Sequence, residues 1–176
     1  MKSSRVHRAA TGWLLVATWA PVVWSQVPAV KPCSEPQHRQ FDFWLGDWNV
    51  HGPKGRLLGE SRIEAIANGC ALLENWSGTG GFAGKSLNSY DGSDRKWHQS
   101  WIGSDGLRLE LAGNLVDGRM QLEGRQPDPA KPGAFSVQRI SWSLNPDGSV
   151  HQLWQTSIDG GTTWNTAFDG TYLRRK

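Results

Sequence analysis

Beyond residue 46 the chain alternates apolar and polar positions in short runs, each closed by a turn pair. The punctuation is regular: Gly52-Pro53, Asn68-Gly69, Gly78 to Gly81, Asp91-Gly92, Asp105-Gly106, Asp117-Gly118, Asp147-Gly148 and Asp159-Gly160. Asp-Gly and Asn-Gly are favoured where a hairpin needs positive φ, so their repetition predicts an antiparallel meander. The pattern predicts strands over 48–52, 57–67, 71–77, 85–90, 96–103, 107–115, 119–125, 135–144, 149–156 and 164–174. Sequential hairpins alone account for the chain, and no crossover of the length a sandwich requires is visible. The expected fold class is therefore all-β, a closed antiparallel up-and-down β-barrel of about eight to ten strands. Helix is confined to one or two turns over 34–45, with Ser34 as the expected N-cap and Pro36 in the first turn.

Ahead of the first strand stands Phe41-Asp42-Phe43-Trp44-Leu45-Gly46-Asp47-Trp48. Two tryptophans and two phenylalanines around one glycine read as a plug: a helical turn ends at Gly46, and the next strand begins with an indole that must be buried. Parity within the later strands describes what the plug would close. Leu72, Glu74 and Trp76 share one face, as do Trp97, Gln99 and Trp101. An inner face mixing Trp with Glu and Gln suits a cavity lined for an amphipathic guest. The alternative is that the polar residues face solvent and the indoles fill the interior. On the first reading Glu74, Trp76, Trp97, Gln99, Trp101, Gln152 and Trp154 are the expected ligand-binding residues, the indoles giving apolar contact and the polar groups orienting the guest. The partner is then a small hydrophobic or amphipathic molecule.

The 176 residues fit one domain after an N-terminal leader. Lys2, Arg5 and Arg8 precede an apolar run that reaches Trp24 but is interrupted by Thr11, Gly12, Thr18 and Pro21. This is the pattern of a secretory signal over 1–25, too broken for a membrane span, followed by a linker over 26–36 and a barrel domain over 37–176. The expected location is periplasmic or secreted. Cleavage would remove three of the 19 basic residues and none of the 16 acidic ones, leaving 16 of each. A neutral mature chain has no electrostatic footprint for nucleic acid or anionic lipid. Cys33 and Cys70 are the only cysteines, and an even pair in an oxidising compartment suggests a disulfide. Two free thiols or a two-ligand metal fragment are the alternatives, but no CxxC or HxH accompanies them, and no metal site is expected.

Candidate chemistry is otherwise sparse. No GxSxG, no HExxH and no Cys-His pairing with a free thiol occurs. Glu74 or Glu110 with His98 would make an acid–base pair if the barrel brought them together. Ser157-Ile158-Asp159-Gly160-Gly161-Thr162-Thr163-Trp164 matches the Asp-box pattern, in which the Asp binds turn amides and the Trp packs under the loop; its role there is structural. Gly78-Thr79-Gly80-Gly81-Phe82-Ala83 satisfies GxGxxA, but a strand follows where a dinucleotide loop needs a helix. A loop at the barrel mouth with Phe82 at its tip is the expected role.

Four stretches together carry a resemblance: FDFWLGDW at 41–48, NGCALLENWSG at 68–78, KSLNSYDGSDRKWHQSWIG at 85–103 and DGSVHQLWQTSIDGGTTW at 147–164. They resemble a group of bacterial exported proteins of unestablished function, a domain of unknown function with a lipocalin-like or calycin-like barrel. The resemblance spans nearly all of the chain after the leader. It implies barrel closure by Trp48 of a GxW element, with an arginine of the last strand, Arg174 or Arg175, lying on the indole. The wider relatives include haem binders with a strand histidine as ligand, for which His151 or His98 is the candidate; otherwise no cofactor is implied. A structural or interaction module with a filled barrel remains a further reading.

Overall fold

The computed structural model describes residues 31–128 and 131–176. The expected signal over 1–25 and the first part of the linker lie outside the described residues. Ten strands follow one another: β1 Gly46–His51, β2 Leu57–Ile66, β3 Ala71–Gly78, β4 Ala83–Asp91, β5 Lys96–Gly103, β6 Arg108–Val116, β7 Arg119–Pro127, β8 Phe135–Leu144, β9 Val150–Ser157 and β10 Asn165–Arg174. Each pairs antiparallel with its sequence neighbours, and β10 returns to β1 with Trp48 opposite Arg174, so the sheet closes into a ten-stranded up-and-down barrel. Closure leaves no unpaired sheet edge. The β6–β7 turn shows why the punctuation was readable: Asp117 and Gly118 have φ of 49° and 75°, the double positive φ that a two-residue hairpin demands. No helix among the described residues is long and apolar enough to cross a membrane.

The segment before β1 forms two short 3-10 turns, Pro36–Arg39 and Asp42–Trp44. Ser34 is not their cap. Its hydroxyl donates back to the Lys31 carbonyl at 2.8 Å, and Glu35 occupies the cap position without a side-chain bond. With Pro at the first helical position one orphan donor is already absent, which lowers the need for a cap.

These turns carry the plug into one barrel end. Phe41 stacks on Trp44 at 5.0 Å between centroids and meets the edges of Trp97 and Trp142 at 5.6 and 5.1 Å. Phe41, Trp44, Trp48 and Trp142 are completely buried. Trp48 Nε1 donates to the Trp44 carbonyl at 2.9 Å, and the Arg174 guanidinium lies 4.4 Å from the Trp48 ring centroid. Gly46 is required between them: its φ is +136°, and a Cβ there would stand 2.5 Å from Arg174 Nη1.

The Cys33–Cys70 disulfide ties the segment to the β2–β3 connection, and Arg39 donates to the Gly69 carbonyl beside it. Because the strands alternate in direction, the β2–β3, β4–β5, β6–β7 and β8–β9 connections share this closed end. The β1–β2, β3–β4, β5–β6, β7–β8 and β9–β10 connections surround the opposite end.

The Asp-box forms the β9–β10 connection. Asp159 Oδ1 accepts from the Thr162 and Thr163 amides at 3.0 and 2.9 Å and from the Ser157 hydroxyl at 2.7 Å. The Thr163 hydroxyl donates to Oδ2 at 2.6 Å, and this bond first, then the others, holds the carboxyl well below the usual carboxylate range. Trp164 folds back, donating to the Gly161 carbonyl at 3.0 Å, and Arg139 lies 3.8 Å from its ring centroid. The motif is a stiff rim element.

Candidate functional site

The end opposite the plug contains a cavity of about 290 Å³. Its construction repeats on three strands that run in the same direction away from the plug: Leu72-x-Glu74-x-Trp76 on β3, Trp97-x-Gln99-x-Trp101 on β5 and Val150-x-Gln152-x-Trp154 on β9. Alternation turns all three positions of each strand inward. The first belongs to the closed end, the second forms a polar belt, and the third is an indole of the cavity wall. Glu74, Trp76, Gln99, Trp101, Gln152 and Trp154 all line the cavity.

Trp97 does not. It sits on the predicted face, but four residues before Trp101, about 13 Å along the strand. There it is 1% exposed, packs on Phe41, and donates from Nε1 to the Gln37 carbonyl at 3.2 Å. Its role is to receive the plug.

Three large indoles in so small a barrel would be expected to fill it, but glycines on neighbouring strands let two of them lie against the wall. A Cβ at Gly84 would meet Trp101 Cζ2 at 2.2 Å, and one at Gly59 would meet Trp76 Cη2 at 2.9 Å. Each ring occupies the space a side chain would have taken on the wall. Phe168 on β10 completes this layer, its edge against Trp76 at 5.9 Å. Phe82, at the tip of the β3–β4 loop, and Leu58 are at the mouth with Gly78 and Gly80.

The floor is a connected hydrogen-bond network. Gln99 Nε2 donates to Asn88 Oδ1 at 2.8 Å, Asn88 Nδ2 donates to Ser86 Oγ at 2.9 Å, and Ser86 Oγ donates to Glu74 Oε2 at 2.9 Å. On the other side Ser61 Oγ donates to Glu74 Oε1 at 2.9 Å. Every bond of this chain points toward the Glu74 carboxyl, which is 4% exposed. The Tyr172 hydroxyl lies between Glu74 and Gln152 Oε1, with a single proton to place on one or the other.

Burial raises the Glu74 carboxyl to about 7, against the opposing effect of the Ser86, Ser61 and Tyr172 hydrogen bonds. The same burial, and then the neighbouring Glu74 charge, lift the Tyr172 phenol well above its ordinary value. Among the described residues no Lys, Arg or His lines the cavity, so none of them supplies the carboxylate with a counter-ion there.

The remaining candidates face outward. His98 pairs with Asp94 at 3.0 Å, His151 with Asp169 at 2.9 Å, and Glu110 with Arg108 at 2.9 Å and with the Ser100 hydroxyl. The barrel wall separates all three from Glu74, which rules out a Glu74–His98 pair; Glu110 and His98 share the outer face of adjacent strands, each held by its own partner, Arg108 and Asp94. Neither His98 nor His151 is among the residues that line the cavity.

Asp91, Asp94 and His98 present ligand atoms within 4.8 Å of one another on the outer surface at the closed end. Both aspartates are turn residues there, accepting from the Ser93 and Lys96 amides at 2.7 and 3.1 Å. That accounts for them without an ion.

Tyr172, Phe168, Ser61, Ser86 and Asn88 were not singled out from sequence. Period-two parity on β2, β4 and β10 was the available signal, since each shares a face with an inward residue of its own strand. No family model matches this sequence, and no curated protein is significantly similar to it.

Proposed function

We propose that this protein is an exported binding barrel, periplasmic or secreted, that takes a small amphipathic molecule into its interior. The observation that carries the reading is the division of one cavity into an apolar wall of indoles and a buried polar floor of Glu74, Gln99, Gln152 and Tyr172. Concave sites that are mostly apolar with a few convergent polar groups are the usual form of small-molecule sites. A filled structural core has no need of such a belt, because each buried polar group costs stability unless it is bonded.

Size limits the guest. A cavity of about 150 Å³ admits benzene. At about 290 Å³ this one suits a body of one or two rings or a short branched chain. Long-chain lipids are too large unless part of the chain stays outside the mouth.

Native mass spectrometry of the protein purified without denaturation, together with tryptophan fluorescence titrated with short-chain lipids, small aromatics and isoprenoids, tests the reading. An adduct or a saturable change in indole emission is expected from at least one class. Silence from every class, with the emission unperturbed, would remove it.

A further inference from the structure

The cavity wall and floor also specify the charge of the guest. We infer that the occupant is an organic cation, a protonated amine on a compact one- or two-ring body, with its ammonium against Glu74 and its rings among Trp76, Trp101 and Trp154. The inference rests on the reading of this cavity as a binding site and adds the chemical class of what it binds.

Four observations lead there. The serine hydroxyls of Ser61 and Ser86 take one site on each Glu74 oxygen, leaving the carboxylate with further acceptor capacity. The relay from Gln99 through Asn88 and Ser86 has its donors directed at that carboxylate, an arrangement that favours the ionised form. Among the described residues no basic side chain lines the cavity, so a positive charge on the guest is the complementary partner. The aromatic faces around it add to the same preference, since a ring quadrupole attracts a cation within about 6 Å.

Other guests fit less well. A carboxylate ligand would place two like charges in a buried site with no cation, and one of them would have to be protonated. A neutral guest meets Glu74 on equal terms only when the carboxyl itself is neutral.

Proton linkage gives a signature that a merely apolar pocket lacks. The groups facing Glu74 are Ser61 from β2, Ser86 from β4 and Tyr172 from β10, with Gln99 from β5 and Gln152 from β9 completing the floor. Tyr172 is the sole other titratable group among them, and it stays neutral well above pH 10. Glu74, lifted to about 7 by burial, is therefore the group whose ionisation limits cation binding near neutrality. Apparent affinity for a cation scales with the ionised fraction, so between pH 8 and pH 5.5 it falls about thirtyfold.

Calorimetric titration of the full exported protein with three ligands sharing an indole body tests this: tryptamine, the neutral tryptophol and indole-3-propionate. Tryptamine is expected to bind at least tenfold tighter than tryptophol at pH 8 and to lose about thirtyfold in affinity by pH 5.5, while tryptophol loses none. In Glu74→Gln the ratio of tryptamine to tryptophol affinity falls to about one at every pH. Equal or weaker binding of tryptamine at pH 8, or a pH-independent affinity for it, overturns the inference and leaves the binding reading standing. Silence from all three overturns it alone if another ligand class binds, and overturns both if none does. Should Glu74→Gln fail to fold, the pH arm on the unmodified protein decides.

Discussion

Glu74 is expected to destabilise the empty barrel at neutral and alkaline pH, and Glu74→Gln to stabilise it. The unfolded carboxyl titrates near 4.5 and the folded one near 7. The folded state therefore holds its proton more tightly, and stability falls as pH rises between those values. Below pH 4.5 both states are protonated and there is no cost; above pH 7 the loss is complete. A difference of two and a half pKa units corresponds to roughly 3 kcal/mol. Against a typical total of about 5–15 kcal/mol that is a substantial fraction.

Glutamine is nearly isosteric with the protonated acid and keeps an acceptor for one serine, while its amide donates to the other hydroxyl. Some of the gain is lost if that exchange is imperfect, at about 1 kcal/mol per hydrogen bond. The variant is expected to be more stable than the parent by about 1–3 kcal/mol at pH 8. At pH 5 the two should be nearly equal. Urea unfolding of both proteins at pH 5, 6, 7 and 8 measures this, and groups far from Glu74 cancel in the difference. A gap between the proteins that stays constant from pH 5 to pH 8 would refute the reasoning, since the linkage predicts a change of roughly 2–3 kcal/mol.

Replacing both Cys33 and Cys70 by serine opens a loop with a sequence separation of 37 residues and should cost about 3–4 kcal/mol in denaturant unfolding. Arg174→Met keeps the apolar stem but removes the charge over Trp48; a loss of about 0.5–2 kcal/mol is expected. An unchanged midpoint would mean that the stem alone seals the barrel. Gly84→Ala puts a methyl group within 2.2 Å of the Trp101 ring and drives that indole off the wall into the cavity. Affinity for tryptophol should fall about tenfold, with a stability cost of about 1–3 kcal/mol for overpacking. Gly80→Ala, at the mouth with open space around it, should change neither.

Much of the barrel was legible because each strand is bounded by its own turn chemistry. β5 and β8 have the boundaries the pattern predicts, 96–103 and 135–144, since a turn signal stands close to each end. The inward face was legible wherever a strand alternates cleanly, as with Glu74 and Trp76. Depth along the barrel was not. Trp97 and Trp101 share a face, and only the stagger of the closed sheet together with the seat of Phe41 determines that one meets the plug and the other the cavity. The same parity applied to β6 would have turned Glu110 outward, because Leu109 and Leu111 are the buried positions. Parity turns the serines and Asn88 of the floor inward, but nothing local marks them as a network, since that comes from their meeting around Glu74 across three strands.

Charge at position 74 is the feature that packing does not explain. Ser61 and Ser86 are satisfied by any acceptor of the same shape, and an amide supplies one without an ionisation to suppress. The carboxyl instead brings a roughly 3 kcal/mol penalty into a cavity whose walls offer no counter-ion. A buried ion costs most when it is unpaired and far less when a complementary charge completes its hydrogen bonds. On the proposed reading, a bound cation recovers the free energy that ionisation of Glu74 costs. On this argument the plug, the disulfide and the Asp-box rim share a single consequence. They keep the belt and the indoles in place while the interior tolerates a charge that a filled barrel would have no reason to keep.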